Sequence, residues 1–201
     1  MQQSARRTLE FFFDFGSPYS YLAYLEAPRV AQRAGADIAW RPILLGGVFK
    51  ATGNHSPAEI PAKGRWSKTD LARWARKYGA PFRHNPHFPI NTLMLMRAAM
   101  GYQRQDEALF QRYVQAIFQA MWVDGRNLND PAEIGAVLAQ AGLDPRAALA
   151  MIDDPAVKDA LKQATEAAVA RGVFGVPSFI VGEELFWGND RLHFVEEALT
   201  E

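Results

Sequence analysis

The sequence contains no cysteine. That absence excludes disulfides, zinc–thiolate sites, iron–sulfur clusters and any redox cycle run on the protein's own thiols. It also lacks an excess of either charge, because 22 Lys and Arg balance 22 Asp and Glu over 201 residues. A nucleic-acid binder carries a basic surplus, so no nucleic-acid partner is expected. Long apolar runs are missing as well. Phe11-Phe12-Phe13 is cut off by Asp14, far short of a bilayer span. The start from Met1 to Arg7 is polar, without the apolar centre of a signal peptide. A cytoplasmic protein with no membrane partner is the expectation. Only four histidines are present, and His84 and His87 alone share a short loop. Two ligands do not make a metal site, so none is expected.

Hydrophobic residues make up 49% of the chain and charged residues 22%, the balance of a globular fold with a real core. Leu9 to Phe15 is short, apolar and aromatic, as a strand buried on both faces would be. Gly16 breaks it. Ser17-Pro18 then opens a helix, with Ser as N-cap and Pro at the first position. That helix is expected to reach about Ala34 and stop at Gly35, before a second strand from Asp37 to Arg41. Such a strand–helix–strand unit makes a right-handed parallel crossover.

The Gly- and Pro-rich stretch from Gly46 to Gly64 reads as loop. Helical patterns follow it: one capped by Ser67, one over Asn91 to Met100, and one over Asp106 to Trp122. Three more start at Asp130-Pro131, Asp144-Pro145 and Asp154-Pro155, with Glu133 placed as a capping-box partner for Asp130. After Arg171-Gly172 the pattern returns to β. Ser178 to Val181 and Leu185 to Trp187 flank a turn, and a closing helix is capped by Asn189 or Asp190. The order β-α-β, helical block, β-β-α specifies a thioredoxin-like α/β fold with a large all-helical insertion. Residues 1–45 and 172–201 would form the thioredoxin-like domain, and 46–171 the connecting loop and helical subdomain.

Several residues stand where chemistry is possible. Ser17 lies where a buried strand meets a helix N-terminus, whose unpaired N–H groups and dipole favour an anion. It either caps the helix alone or also donates a hydrogen bond to a bound thiolate. No G-x-S-x-G elbow supports it as a triad nucleophile. Val176 precedes Pro177 at a strand start, and a cis bond there would turn the Val176 backbone outward toward a peptide-like ligand. Asp190 either caps the last helix or receives an ammonium group. Lys50 is a solvated lysine or a carboxylate anchor, and Asn54 is a turn residue after Gly53.

Taken together, three segments carry a family resemblance. They are Phe13-Asp14-Phe15-Gly16-Ser17-Pro18-Tyr19-Ser20-Tyr21-Leu22, then Lys50 through Asn54 with Pro61-Ala62-Lys63-Gly64, and Gly172 through Pro177 with Phe186-Trp187-Gly188-Asn189-Asp190-Arg191. With them the chain, from about Leu9 to Leu199, resembles 2-hydroxychromene-2-carboxylate isomerases, bacterial relatives of kappa-class glutathione transferases within the DsbA-like group. DsbA-type oxidoreductases carry Cys-x-x-Cys where this chain has Ser17-Pro18-Tyr19-Ser20, so the resemblance implies a borrowed thiol, that of reduced glutathione. It implies that Ser17 contacts the glutathione sulfur, that the Val176 backbone pairs with its cysteinyl part, and that Asn189 and Asp190 hold its γ-glutamyl end. It places Lys50 and Asn54 at the site of a small aromatic carboxylate substrate. It also implies a homodimer. Some isomerases of the family use a tyrosine in the loop after the first inserted helix, whereas Pro86 to Asn91 has none here. Two other readings stay open: a kappa-like glutathione transferase or peroxidase, and a non-catalytic DsbA-like binding module.

Overall fold

The computed structural model describes residues 7–201; the polar start read above lies, apart from Arg7, outside the described residues. A four-stranded sheet has the order β2-β1-β3-β4. Its strands are β1 (Thr8–Phe13), β2 (Asp37–Pro42), β3 (Ser178–Val181) and β4 (Glu184–Trp187). β1 and β2 are parallel, joined by α1 (Pro18–Arg33). β1 pairs antiparallel with β3, and β3 with β4. Between β2 and β3 run α2 (Leu45–Thr52), α3 (Pro61–Tyr78), α4 (Leu93–Gln105), α5 (Glu107–Trp122), α6 (Pro131–Gln140), α7 (Pro145–Asp153) and α8 (Pro155–Ala170). α9 (Leu192–Thr200) closes the chain. This is the thioredoxin-like order with intervening helices that the sequence pattern specifies.

Aromatic rings join the sheet to the helices. Phe11 stacks on Phe179 of β3 at 5.2 Å, and Phe15 meets Phe118 of α5 edge-on at 4.9 Å. Both are fully buried. Such rings each bury ~150–250 Å² and gain from offset or edge-on packing.

Several local expectations need correction. β1 ends at Phe13, because Asp14, Phe15 and Gly16 form the turn into α1. The stretch from Gly46 to Gly64 is not a loop, since it contains α2, a 3₁₀ turn over Pro57–Glu59 and the start of α3. The glycine pair inside α2 permits close packing: a Cβ on Gly47 would lie 3.2 Å from the Thr165 methyl of α8. Ser67 does not cap a helix, because α3 begins six residues earlier with Pro61 at its first position. α4 starts at Leu93 rather than Asn91. The Glu133 carboxylate pairs with Arg126 instead of closing a capping box. Finally, Asn189 and Asp190 do not cap α9. They belong to a 3₁₀ turn over Asn189–Arg191, and α9 begins without a side-chain cap.

Candidate active site

The N-terminus of α1 is built by the turn that precedes it. Asp14 is fully buried and accepts from the N–H groups of Gly16 and Leu45, each at 2.8 Å. One carboxylate thus fixes both the entry to α1 and the first residue of α2. Burial pushes its pKa above the ordinary carboxylate value, against the lowering effect of its hydrogen bonds, including one with Thr92. The Trp122 indole of α5 donates to the Phe15 carbonyl at 2.8 Å, and Ser17 N–H donates to the Asp14 carbonyl at 3.1 Å. Four contacts therefore determine where Ser17 sits.

Ser17 is buried, with 6% of its surface exposed. Its Oγ accepts from Ser20 N–H at 3.1 Å and donates to the Val176 carbonyl at 3.2 Å, across 159 residues of sequence. Pro18 has no N–H, so Tyr19 carries the first backbone donor of α1, and it has no hydrogen-bond partner among the described residues. The Val176–Pro177 peptide is cis, as is Phe88–Pro89. The Val176 N–H likewise has no partner among the described residues. Two backbone donors without partners therefore lie on residues next to the Ser17 hydroxyl, a set that can take an anion.

The 3₁₀ turn of Asn189 and Asp190 reaches the same place through Gly188, whose N–H donates to the Pro177 carbonyl at 2.9 Å. Gly188 has a φ of +101°, and a Cβ there would run into the Asp190 carboxylate, so glycine is required. Asn189 is buried, and its carbonyl accepts from the Tyr78 hydroxyl of α3 at 3.0 Å. Burial is the main cause that pushes the Tyr78 hydroxyl up to about 12, so it remains a proton donor at neutral pH. Asp190 is half-exposed and pairs with Arg191 at 2.6 Å. Its negative charge is felt at Tyr19, whose pKa is raised first by burial and then by Asp70, which accepts from its hydroxyl at 3.1 Å.

Asn54 joins this group. Its side-chain amide donates to the Phe174 carbonyl at 2.9 Å, two residues before Val176. Lys50 stands apart. It is exposed on the last turn of α2 and has no hydrogen bond or ion pair with another described residue. Ser17, Val176, Asn189 and Asn54 are thus linked through direct hydrogen bonds or near neighbours, Asp190 is linked electrostatically, and Lys50 is placed only by its helix.

Sequence reasoning gave no site role to four residues found here. Tyr19 lies within the Ser-Pro motif but carried no separate signal. Tyr78 carried no site signal within its helical pattern. Phe174 and Trp187 pack at 5.0 Å, and both expose much of their surface, 37% and 48%, beside the Val176 backbone. They form an apolar wall next to the polar donors, the usual composition of a small-molecule site.

The DSBA-like thioredoxin domain family matches residues 8–200. A 2-hydroxychromene-2-carboxylate isomerase of Sphingobium xenophagum is 36% identical, over 97% of this chain and 99% of that protein. Human glutathione S-transferase kappa 1 is 27% identical, over 97% of this chain and 92% of that protein. The solved structure of a 2-hydroxychromene-2-carboxylate isomerase superposes with a TM-score of 0.80 at 34% identity, covering 96% of this chain and 94% of that one. The chain therefore belongs to the DsbA-like thioredoxin domains and, among them, to the family of 2-hydroxychromene-2-carboxylate isomerases related to kappa-class glutathione transferases.

Proposed function

We propose that the protein is a glutathione-dependent cis–trans isomerase, acting on 2-hydroxychromene-2-carboxylate or a similar aromatic carboxylate to give the trans-o-hydroxybenzylidenepyruvate type of product. The observation that carries this reading is the Ser17 hydroxyl, fixed at the N-terminus of α1 and within hydrogen-bond distance of the Val176 carbonyl.

The residues suit glutathione. A chain without cysteine has no thiol of its own. The unpartnered N–H and the carbonyl of Val176 match the donor and acceptor of a peptide-like cysteinyl unit. Asp190 matches an α-ammonium group, and Asn189 is locked beside it by Tyr78. Held by Ser17, Val176, Asn189 and Asp190, glutathione would supply a nucleophilic thiolate for reversible addition to a conjugated carbon of the substrate. The protein's part is to stabilise that charge. The Ser17 hydroxyl, which donates to the Val176 carbonyl in this structure, would be the donor to such a thiolate, and the Tyr19 N–H and the α1 dipole add further positive potential. Phe174 and Trp187 shield one side from water, which strengthens each of these interactions. Lys50 and Asn54 serve the substrate side, with Lys50 free to reach a carboxylate.

Calorimetric titration with reduced glutathione, set against S-methyl glutathione, tests the cofactor half. Saturable binding that weakens when the thiol is blocked is expected. Absence of binding at millimolar concentration would leave a non-catalytic module. A kappa-type transferase shares the cofactor half but consumes the thiol, so unchanged free-thiol content after turnover marks the isomerase.

A further inference from the structure

α3 is the most strongly charged element of the chain. It carries Lys63, Arg65, Lys68, Arg73, Arg76 and Lys77 against a single acid, Asp70. Its formal charge is therefore +5, and the rest of a neutral chain carries −5. All six cations are exposed. None forms an ion pair with a described residue, whereas arginines elsewhere, such as Arg33, Arg41, Arg126 and Arg171, are paired. Lys77 lies over the Trp74 ring at 4.7 Å, which leaves its charge uncompensated.

The same helix carries two residues that brace the candidate site. Tyr78 holds the Asn189 carbonyl, and Asp70 holds the Tyr19 hydroxyl. The field of the basic strip extends to the neighbouring loop, where His84 is held below its ordinary pKa by burial first and by Lys68 second. Unpaired charges of one sign beside a site raise the local concentration of oppositely charged ligands and speed their capture.

We propose that the exposed basic strip of α3 steers small anions into the site, so that ligand association is electrostatically driven although the protein as a whole is neutral. This rests on the reading that the ligands are anionic. Glutathione carries two carboxylates against one ammonium, and the substrate class carries a carboxylate.

The test is the association rate of reduced glutathione, followed by rapid-mixing tryptophan fluorescence at low and high salt. A second probe, 8-anilinonaphthalene-1-sulfonate, is an aromatic anion unrelated to glutathione. Both rates are expected to fall by about tenfold between roughly 10 and 300 mM salt, as the Debye length shrinks from ~30 Å to a few ångströms. Arg73→Glu/Arg76→Glu takes α3 from +5 to +1 and should lower the low-salt rate several-fold while flattening the salt dependence. The neutral pair Arg73→Gln/Arg76→Gln should fall between and guards against a folding artefact. Rates that ignore salt and both variants overturn the proposal and leave glutathione binding intact. Steered capture of the sulfonate without any glutathione binding keeps the proposal and removes the cofactor reading. Failure of both probes to bind overturns both.

Discussion

Four α-helices among the described residues start with the same two-residue grammar, a capping side chain followed by proline, yet only one of them forms the candidate site. α6, α7 and α8 begin with Asp130-Pro131, Asp144-Pro145 and Asp154-Pro155. In each, a carboxylate oxygen accepts from the N–H of the second helical residue at 2.8–2.9 Å. Each brings its own negative charge to the helix terminus and closes the first available donor. α1 begins with Ser17-Pro18 and has no acid in its first turn. Its cap is neutral, and the bond goes to the third helical residue, Ser20, so the Tyr19 N–H stays open. At α6, α7 and α8 the aspartate cap satisfies the first donor from within, whereas at α1 the Ser17 cap holds the helix together and leaves its first donor able to take an anion from outside.

Converting one kind of start into the other is the most damaging change expected. Ser17→Asp places a permanent carboxylate where the thiolate should sit and removes the hydroxyl donor. Turnover should fall by about a hundredfold or more, the scale of losing an oriented donor to developing charge. Stability should fall too, by about 1–3 kcal/mol, because the carboxylate is buried and leaves the Val176 carbonyl without its donor although Asp and Ser cap equally well. Thermal unfolding beside steady-state kinetics gives both numbers. A variant that retains full turnover would show that the open terminus of α1 is not used.

Asp14 supplies the next contrast, as a carboxylate near the same terminus that faces away from it. It holds Gly16 and Leu45 and is fully buried. Asp14→Ala would orphan two backbone donors and should cost about 3 kcal/mol in urea unfolding, at ~1–3 kcal/mol for each unsatisfied group. By comparison, Asp154→Ala at an ordinary start should cost about 1 kcal/mol and leave turnover unchanged. Equal losses for Asp14→Ala and Asp154→Ala would mean that Asp14 is only another turn residue.

The starts themselves were legible in the sequence because capping is local: Ser17, Asp106, Asp130, Asp144 and Asp154 all accept from an N–H within three residues. The succession of strands and helices along the chain was legible in the β-α-β and β-β-α patterns. What stayed hidden depends on packing between distant segments. The Gly46-Gly47 pair resembles loop chemistry until α8 presses Thr165 against it. Tyr78 meets Asn189 across 111 residues, and Asn54 meets Phe174 across 120. Neither pairing has a periodic or capping signature, because each depends on where whole elements dock. Likewise Asn189 and Asp190 look like helix caps, but the chain needs a 3₁₀ turn there to bring Gly188 to Pro177.

The smallest effect expected separates buried from paired carboxylates on the same strand-to-helix segment. Asp14 has its pKa raised by burial, so the folded state holds that proton more tightly than the unfolded chain. Its contribution is fully present below its ordinary value of 3.8 and declines as pH rises through the folded pKa. Glu10 on β1 behaves in the opposite way. The hydrogen bond from Arg171 is the main cause of its lowered pKa, with Arg41 adding to it against partial burial. Its contribution is present above the ordinary value of 4.5 and is lost as pH falls through the folded pKa. Glu10→Gln should therefore remove part of the acid-side loss of stability, by less than about 1 kcal/mol for a pair this close to solvent. Asp14→Asn should instead remove a decline that begins above pH 3.8. Urea midpoints measured across the acid range would distinguish the two slopes, and the same sign for both variants would contradict the assignment of burial to one carboxylate and pairing to the other.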